Sequence, residues 1–328
     1  MVENEAEKSS FYVFVTGICM GAADVIPGVS GGTIAFIMGI YEKLLAAVKS
    51  INLEFLRKIA SFQLRDALDH VPWKFLFVLA AGIGTAIITL AKGLEYLLSN
   101  HETLLMAFFF GLILSSVIVL AKSVAWSTRT IVAIVIGSAF AFWLVGLVPT
   151  DPGHSTPILF GSGILTISAT ILPGISGSFI LLILGQYTHC VATLNRMIDC
   201  AKGGDISGFL SEFTTTVLPL ALGAIVGLMV FCRILGWLLD RYASVTIAVL
   251  TGFMVGSLRR IWPFKTYDGY IEDRHGEMVP TIWKNILPEA FDSTAIMAIA
   301  LCATGFLLIC VIDHLHDRRN PVLRLFWR

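Results

Sequence analysis

The chain has 328 residues, 56% hydrophobic and only 14% charged, with 23 Lys plus Arg balanced by 23 Asp plus Glu. This usage excludes an ordinary soluble domain and reads as an all-α polytopic membrane protein, a single membrane domain over 1–328. Balanced charge removes any bulk argument for nucleic acid, and six cysteines without CxxC spacing read as small apolar filler, so no metal or cofactor is expected.

The acidic opening MVENEAEKSS argues against a cleaved signal peptide. Residues 11–48 form a first hairpin, in which GAADVIPGVSGGTIAFIMGIY (21–41) splits two apolar runs at a Pro-Gly. Runs of roughly 15 residues are short for crossing, so the segment is expected to enter, break and leave on the side it came from; a kinked full span is the other reading. Residues 53–70 mix charges with apolar residues at helical spacing, which predicts an interfacial helix. Spans are predicted at 73–98 and 103–122, closing a first repeat over 11–122, and a linking helix at 130–148 lies within 123–155. A second hairpin follows at 156–190, where ISATILPGISGSFILLILGQY (167–187) matches Pro27, Gly28, Ser30, Gly31, Gly39 and Tyr41 with Pro173, Gly174, Ser176, Gly177, Gly185 and Tyr187. Spans at 215–239 and 244–258 complete a second repeat over 156–260. An extracytoplasmic loop and a C-terminal helix at 293–312 occupy 261–328.

A second similarity strengthens the repeat: Gly82, Lys92, Leu94, Leu97, Leu98 and Gly111 recur 141 residues later as Gly223, Arg233, Leu235, Leu238, Leu239 and Gly252. Each unit is thus a re-entrant hairpin plus two spans, with two further helices outside. Three predicted crossings separate the hairpins, and an odd number inverts the second. Inverted repeats with broken helices are the signature of secondary transporters, whose binding site lies where the breaks meet. With the first hairpin opening to the cytoplasm, fourteen Lys and Arg fall inside and seven outside, which places both termini in the cytoplasm.

Breaking a helix in hydrocarbon frees backbone groups that cost several kcal/mol each if left dry, so the break must face protein, water or ligand. Pro27 and Pro173 fix the breaks, Gly28, Gly31, Gly32, Gly174 and Gly177 permit close approach, and Ser30, Thr33, Ser176 and Ser178 supply hydroxyls. Each restarting helix points its N-terminal end inward, an arrangement suited to an anion and to phosphate above all; tight helix packing by the glycines is the bland alternative. Lys92 and Arg233, equivalent residues of the two repeats, are expected to meet an anionic headgroup on opposite sides, unless they snorkel to the nearer interface. Asp24 has Thr170 as its counterpart, an asymmetry that suits a proton or sodium site, with the more interfacial Glu42 as a second candidate.

At DVIPGVSGGT (24–33), followed by Gly39-Ile40-Tyr41-Glu42, the sequence resembles the PopT family of polyprenyl-phosphate translocases, and the likeness covers nearly the whole chain, including the second LPGISGS. The resemblance implies a lipid transporter that returns undecaprenyl phosphate from the outer to the inner leaflet of the bacterial cytoplasmic membrane, recycling a carrier of cell-envelope synthesis. It also implies partners: a polyprenyl-phosphate substrate and membrane lipids, with no nucleic acid and a homo-oligomer left open. The phosphate would suit the cradles while the tail stays in lipid.

The residues also admit three rival readings. Both breaks match the GxSG of rhomboid proteases, yet the histidines (His70, His101, His154, His189, His275, His314, His316) all fall in loops or at span ends, away from any mid-helix serine base. A lipid phosphatase lacks a usable cluster of Lys, Arg and two His. A small-ion or anion transporter is the serious alternative, and no enzyme is expected.

Overall fold

The computed structural model describes residues 9–316 except 26–28, 123, 151, 273–277 and 289. It is a polytopic helical membrane protein. Helix α1 (Ser10–Val25) leads to the first break, after which α2 (Gly31–Ile37) and α3 (Tyr41–Ser50) follow; α4 (Leu53–Ala60) and α5 (Leu64–His70) complete the approach to the long α6 (Trp73–Ala121). Next come α7 (Thr128–Leu144) and the second hairpin, α8 (Thr156–Ile171), α9 (Gly177–Ile183) and α10 (Tyr187–Gly203). Helix α11 (Ile206–Glu212) runs through a π-helical turn, Phe213–Val217, into α12 (Leu218–Ser257); a two-stranded antiparallel hairpin, β1 (Lys265–Glu272) and β2 (Met278–Asn285), and α13 (Ser293–His316) close the fold.

Local chemistry sets several boundaries. Ser9 Oγ accepts the Tyr12 amide at the start of α1, a Ser127/Thr130 capping box opens α7, and Pro157 stands in the first turn of α8, where a missing N–H costs nothing. The uncovered faces of α7 and α13, including Ile131, Val135, Phe140, Ile296 and Ile299, are apolar and suited to hydrocarbon.

The repeat is explicit in the packing. Helix α1 lies on the first arm of α6 as α8 lies on the first arm of α12, and α13 lies on the second arm of α6 as α7 lies on the second arm of α12. The arms meet at matching kinks, His101 (φ −140°) and Tyr242 (φ −134°). The same glycines make the same contacts: a Cβ at Gly82 would stand 2.2 Å from the Phe14 carbonyl oxygen, and one at Gly223 would stand 2.0 Å from that of Phe160. The glycines paired with α13 and α7 are Gly111 and Gly252. Small residues let helix backbones approach where lipid gives no hydrophobic drive for association. The two outer helices are therefore symmetric partners of the repeats.

Contacts sort the connections into two ends. At one, Lys49 meets Asp240 at 3.5 Å, Lys122 pairs with Asp313, and the Ala125 amide donates to Ser244. At the other, Arg259 donates to the Phe142 carbonyl, the Thr150 amide donates to Ile183, and Tyr267 donates to Glu102. The first hairpin's α3 is at the former end and the second hairpin's α9 is at the latter, so the hairpins open oppositely.

Four expectations need correction. The returning limb of each hairpin is a seven-residue helix, after which the chain bends by 114° into α3 and by 102° into α10. Gly39 (φ 61°) and Gly185 (φ 66°) make those bends possible, since the left-handed region is strained for other residues. The second hairpin's last helix runs to Gly203, beyond 190, and the single helix expected over 53–70 is two, broken beside Phe62 (φ 58°). The loop after 260 carries a β-hairpin that no apolar periodicity announced.

A Gly223→Ala variant is expected to cost about 1–3 kcal/mol through overpacking against α8. Gly84→Ala, with no atom within 4 Å of the added carbon, should leave thermal unfolding in detergent unchanged or slightly raised. Equal unfolding temperatures for Gly223→Ala and the parent would contradict the assigned packing.

Candidate functional site

The two breaks touch each other in the buried centre. The Gly174 amide donates to Thr33 Oγ1 at 2.8 Å, and Ser30 Oγ donates to the Leu172 carbonyl at 3.3 Å and the Thr170 carbonyl at 3.5 Å. Tyr41 adds a third link, its hydroxyl donating to the Ile171 carbonyl at 3.0 Å. Each contact gives a backbone group of the second break a side-chain partner from the first repeat. Ser30, Thr33 and Ser176 are all buried.

Glycine sets the closeness. A Cβ at Gly32 would lie 2.7 Å from the Ile171 carbonyl oxygen, and one at Gly174 would lie 2.8 Å from Met254 Cα, so the second break rests on the second arm of α12. Gly174 has φ +87°, which itself calls for glycine.

The restarted helices differ in their caps. In the first repeat Asp24 accepts the Gly31 amide at 2.7 Å and Ser30 Oγ accepts the Gly32 amide at 3.1 Å. The carboxylate of the chain itself thus sits where an anion would sit, which sequence spacing did not reveal because donor and acceptor are seven residues apart across the break. In the second repeat Thr170 takes the equivalent place, its hydroxyl 1.9 Å from a Cβ built on Gly177, while bonding back to the Thr166 carbonyl. Ser176 makes no side-chain cap and instead pairs with Ser178 at 2.8 Å.

The other expected residues lie elsewhere or out of view. Pro27 and Gly28 are outside the described residues. Arg233 is exposed on the first arm of α12, nine residues before the Tyr242 kink, and Lys92 holds the same backbone position in α6 before His101. Arg233 is not among the polar contacts that join the breaks. Glu42 is exposed at the start of α3.

Beside the crossing, the two arms of α12 diverge and leave an apolar groove of about 350 Å³. Leu172 forms its head, and Phe231, Leu235, Val249 and Phe253 line its length. One residue therefore borders the groove with its side chain and the polar junction with its carbonyl.

The model of the undecaprenyl phosphate translocase-like family matches residues 20–279. The chain belongs to that family. A polyprenyl-phosphate transporter of Vibrio cholerae is 39% identical over 285 residues, covering 85% of this chain and 86% of the relative. A polyprenyl-phosphate transporter of Staphylococcus aureus is 30% identical over 261 residues, covering 75% and 84%. No solved structure matches. The matched stretch of the family model includes both breaks and both two-arm helices.

Thr33→Val is expected to strand the buried Gly174 amide and cost about 1–3 kcal/mol, whereas Thr33→Ser, which keeps the acceptor, should recover most of the loss. Thermal unfolding of the two variants in detergent checks this. Indistinguishable midpoints for Val and Ser would mean that the link carries no weight.

Proposed function

We propose that this protein moves a polyprenyl phosphate between leaflets, returning undecaprenyl phosphate from the outer to the inner leaflet of the cytoplasmic membrane with both termini inside. The observation that carries the reading is the direct junction of two oppositely opening helix breaks, in a chain whose relatives are named polyprenyl-phosphate transporters. The phosphate would be held by Ser30, Gly31, Gly32 and Thr33 from one repeat and Gly174, Ser176, Gly177 and Ser178 from the other. The adjoining apolar groove, with Leu172 at its head, supports a tail that stays at the lipid boundary while the headgroup crosses. Alternating access follows from the symmetry, since each repeat can rock about a junction that both share.

Asp24 supplies a route to coupling. Its carboxylate and a substrate phosphate would compete for the Gly31 amide, and protonation removes that competition by cancelling the charge. Binding of the anion and uptake of a proton then favour each other. Lys92 and Arg233 remain candidates for headgroup contact on the flanks.

Proteoliposomes with leaflet-resolved readout of undecaprenyl phosphate test the proposal. The parent protein should move the lipid, faster with a pH gradient, and Asp24→Asn should lose the dependence on the gradient. A parent that moves no lipid phosphate with or without a gradient contradicts the function; an Asp24→Asn protein with unchanged gradient dependence contradicts the coupling.

A further inference from the structure

Where α12 ends, the chain turns through Arg259 and Arg260 into the β-hairpin, at the end to which the second hairpin opens. The two arginines differ. Arg259 donates to the Phe142 carbonyl at 2.9 Å and stacks on the Phe142 ring. Arg260 is packed between two rings, with its guanidinium carbon 3.8 Å from the Trp283 centroid and 5.1 Å from that of Phe179. Among the described residues its fully buried Nε has no hydrogen-bond partner and no carboxylate lies within ion-pair distance. Close by, Lys265 has a side chain only 5% exposed and stands 3.6 Å from Glu102, whose carboxylate also accepts the Tyr267 hydroxyl.

Among the described residues, Arg260, Lys265 and Glu102 together hold a net positive charge in a poorly solvated place. Burial, reinforced by Arg260, pushes Lys265 down to about 8, and an incoming anion would offset that cost. Guanidinium forks suit phosphate oxygens, and a ring stack orients the fork without using up its donors. An open cavity of about 720 Å³, lined by Trp283 together with Arg259 and Lys284, adjoins the cluster through the ring stacked on Arg260. Phe179, beneath Arg260, is the third residue of α9 and only one step beyond Ser178, so the cluster flanks the route to the second break.

We infer that Arg260 and Lys265 form a capture site for a phosphate monoester, which receives the headgroup before it passes to the junction of the breaks. The inference rests on the lipid-phosphate reading above. A purely structural alternative makes the Arg260–Trp283 stack a clamp for the β-hairpin, which would affect stability without affecting phosphate affinity.

The test uses the full chain in lipid nanodiscs, with equilibrium binding of undecaprenyl phosphate and, separately, of inorganic phosphate, and thermal unfolding followed in parallel. Arg260→Gln and Lys265→Met should each weaken lipid-phosphate binding roughly tenfold or more, as expected for losing a charged hydrogen bond. Arg260→Lys should retain more, and Lys265→Met should unfold where the parent does. If Arg260→Gln fails to fold, Lys265→Met, which leaves the ring stack intact, decides. Parent-like affinity in Lys265→Met overturns the capture site while leaving the translocation proposal standing. A parent that binds inorganic phosphate but no polyprenyl phosphate overturns the translocation proposal and reassigns the site to free phosphate.

Discussion

A backbone that stops being helical inside hydrocarbon must find partners for the amides and carbonyls it releases, and this fold finds them in its own second copy. Thr33 accepts from Gly174, Ser30 donates to Leu172, and Tyr41 donates to Ile171. Without the first repeat the second break would lose these partners, whereas the first break's Gly31 and Gly32 amides are capped by its own Asp24 and Ser30. The pairing fixes how the repeats face each other, and it sets the buried hydroxyls of Ser30 and Thr33 against the backbone of the second break.

The supporting frame has the same logic. Each hairpin's entering helix is held to the first arm of its own long helix by glycine contacts, and each long helix bends at an equivalent residue to return along an outer helix. The contacts match between repeats. The repeats depart from each other at Asp24 and Thr170, where one restarted helix is closed by a carboxylate and the other is left with a hydroxyl above it. That difference is a place where symmetry breaking can carry direction.

Much of this was legible in the sequence. The break motifs recur at a spacing of 146 and the two-arm motifs at 141, and both Gly82 and Gly223 proved to be packing contacts of the kind such spacing implies. The short returning limbs were not legible, because α2 and its continuation read as one apolar run; the information lay in Gly39 and Gly185, whose left-handed conformation no hydropathy pattern records. The β-hairpin was missed for a related reason: it is pinned by Trp262, Trp283 and Tyr267 to helix ends rather than built from alternating apolar residues. Arg260 looked like one more loop cation, since only the fold sets Trp283 and Phe179 against it. Asp24 stood out in the sequence only as a carboxylate without a counterpart in the second repeat; its bond to Gly31 joins residues seven apart on the two sides of the break and could not be read from spacing.

The central claim is that a phosphate headgroup lodges where the two breaks meet. A polyprenyl phosphate carrying a photoreactive diazirine next to its phosphate, crosslinked to the protein in native membranes and mapped by peptide mass spectrometry, tests this most directly. The account predicts labelled peptides from both 24–33 and 170–178, with labelling suppressed by excess unmodified lipid. Labelling that leaves both segments untouched, and falls only on the interfacial helices or the lipid-facing spans, would contradict it.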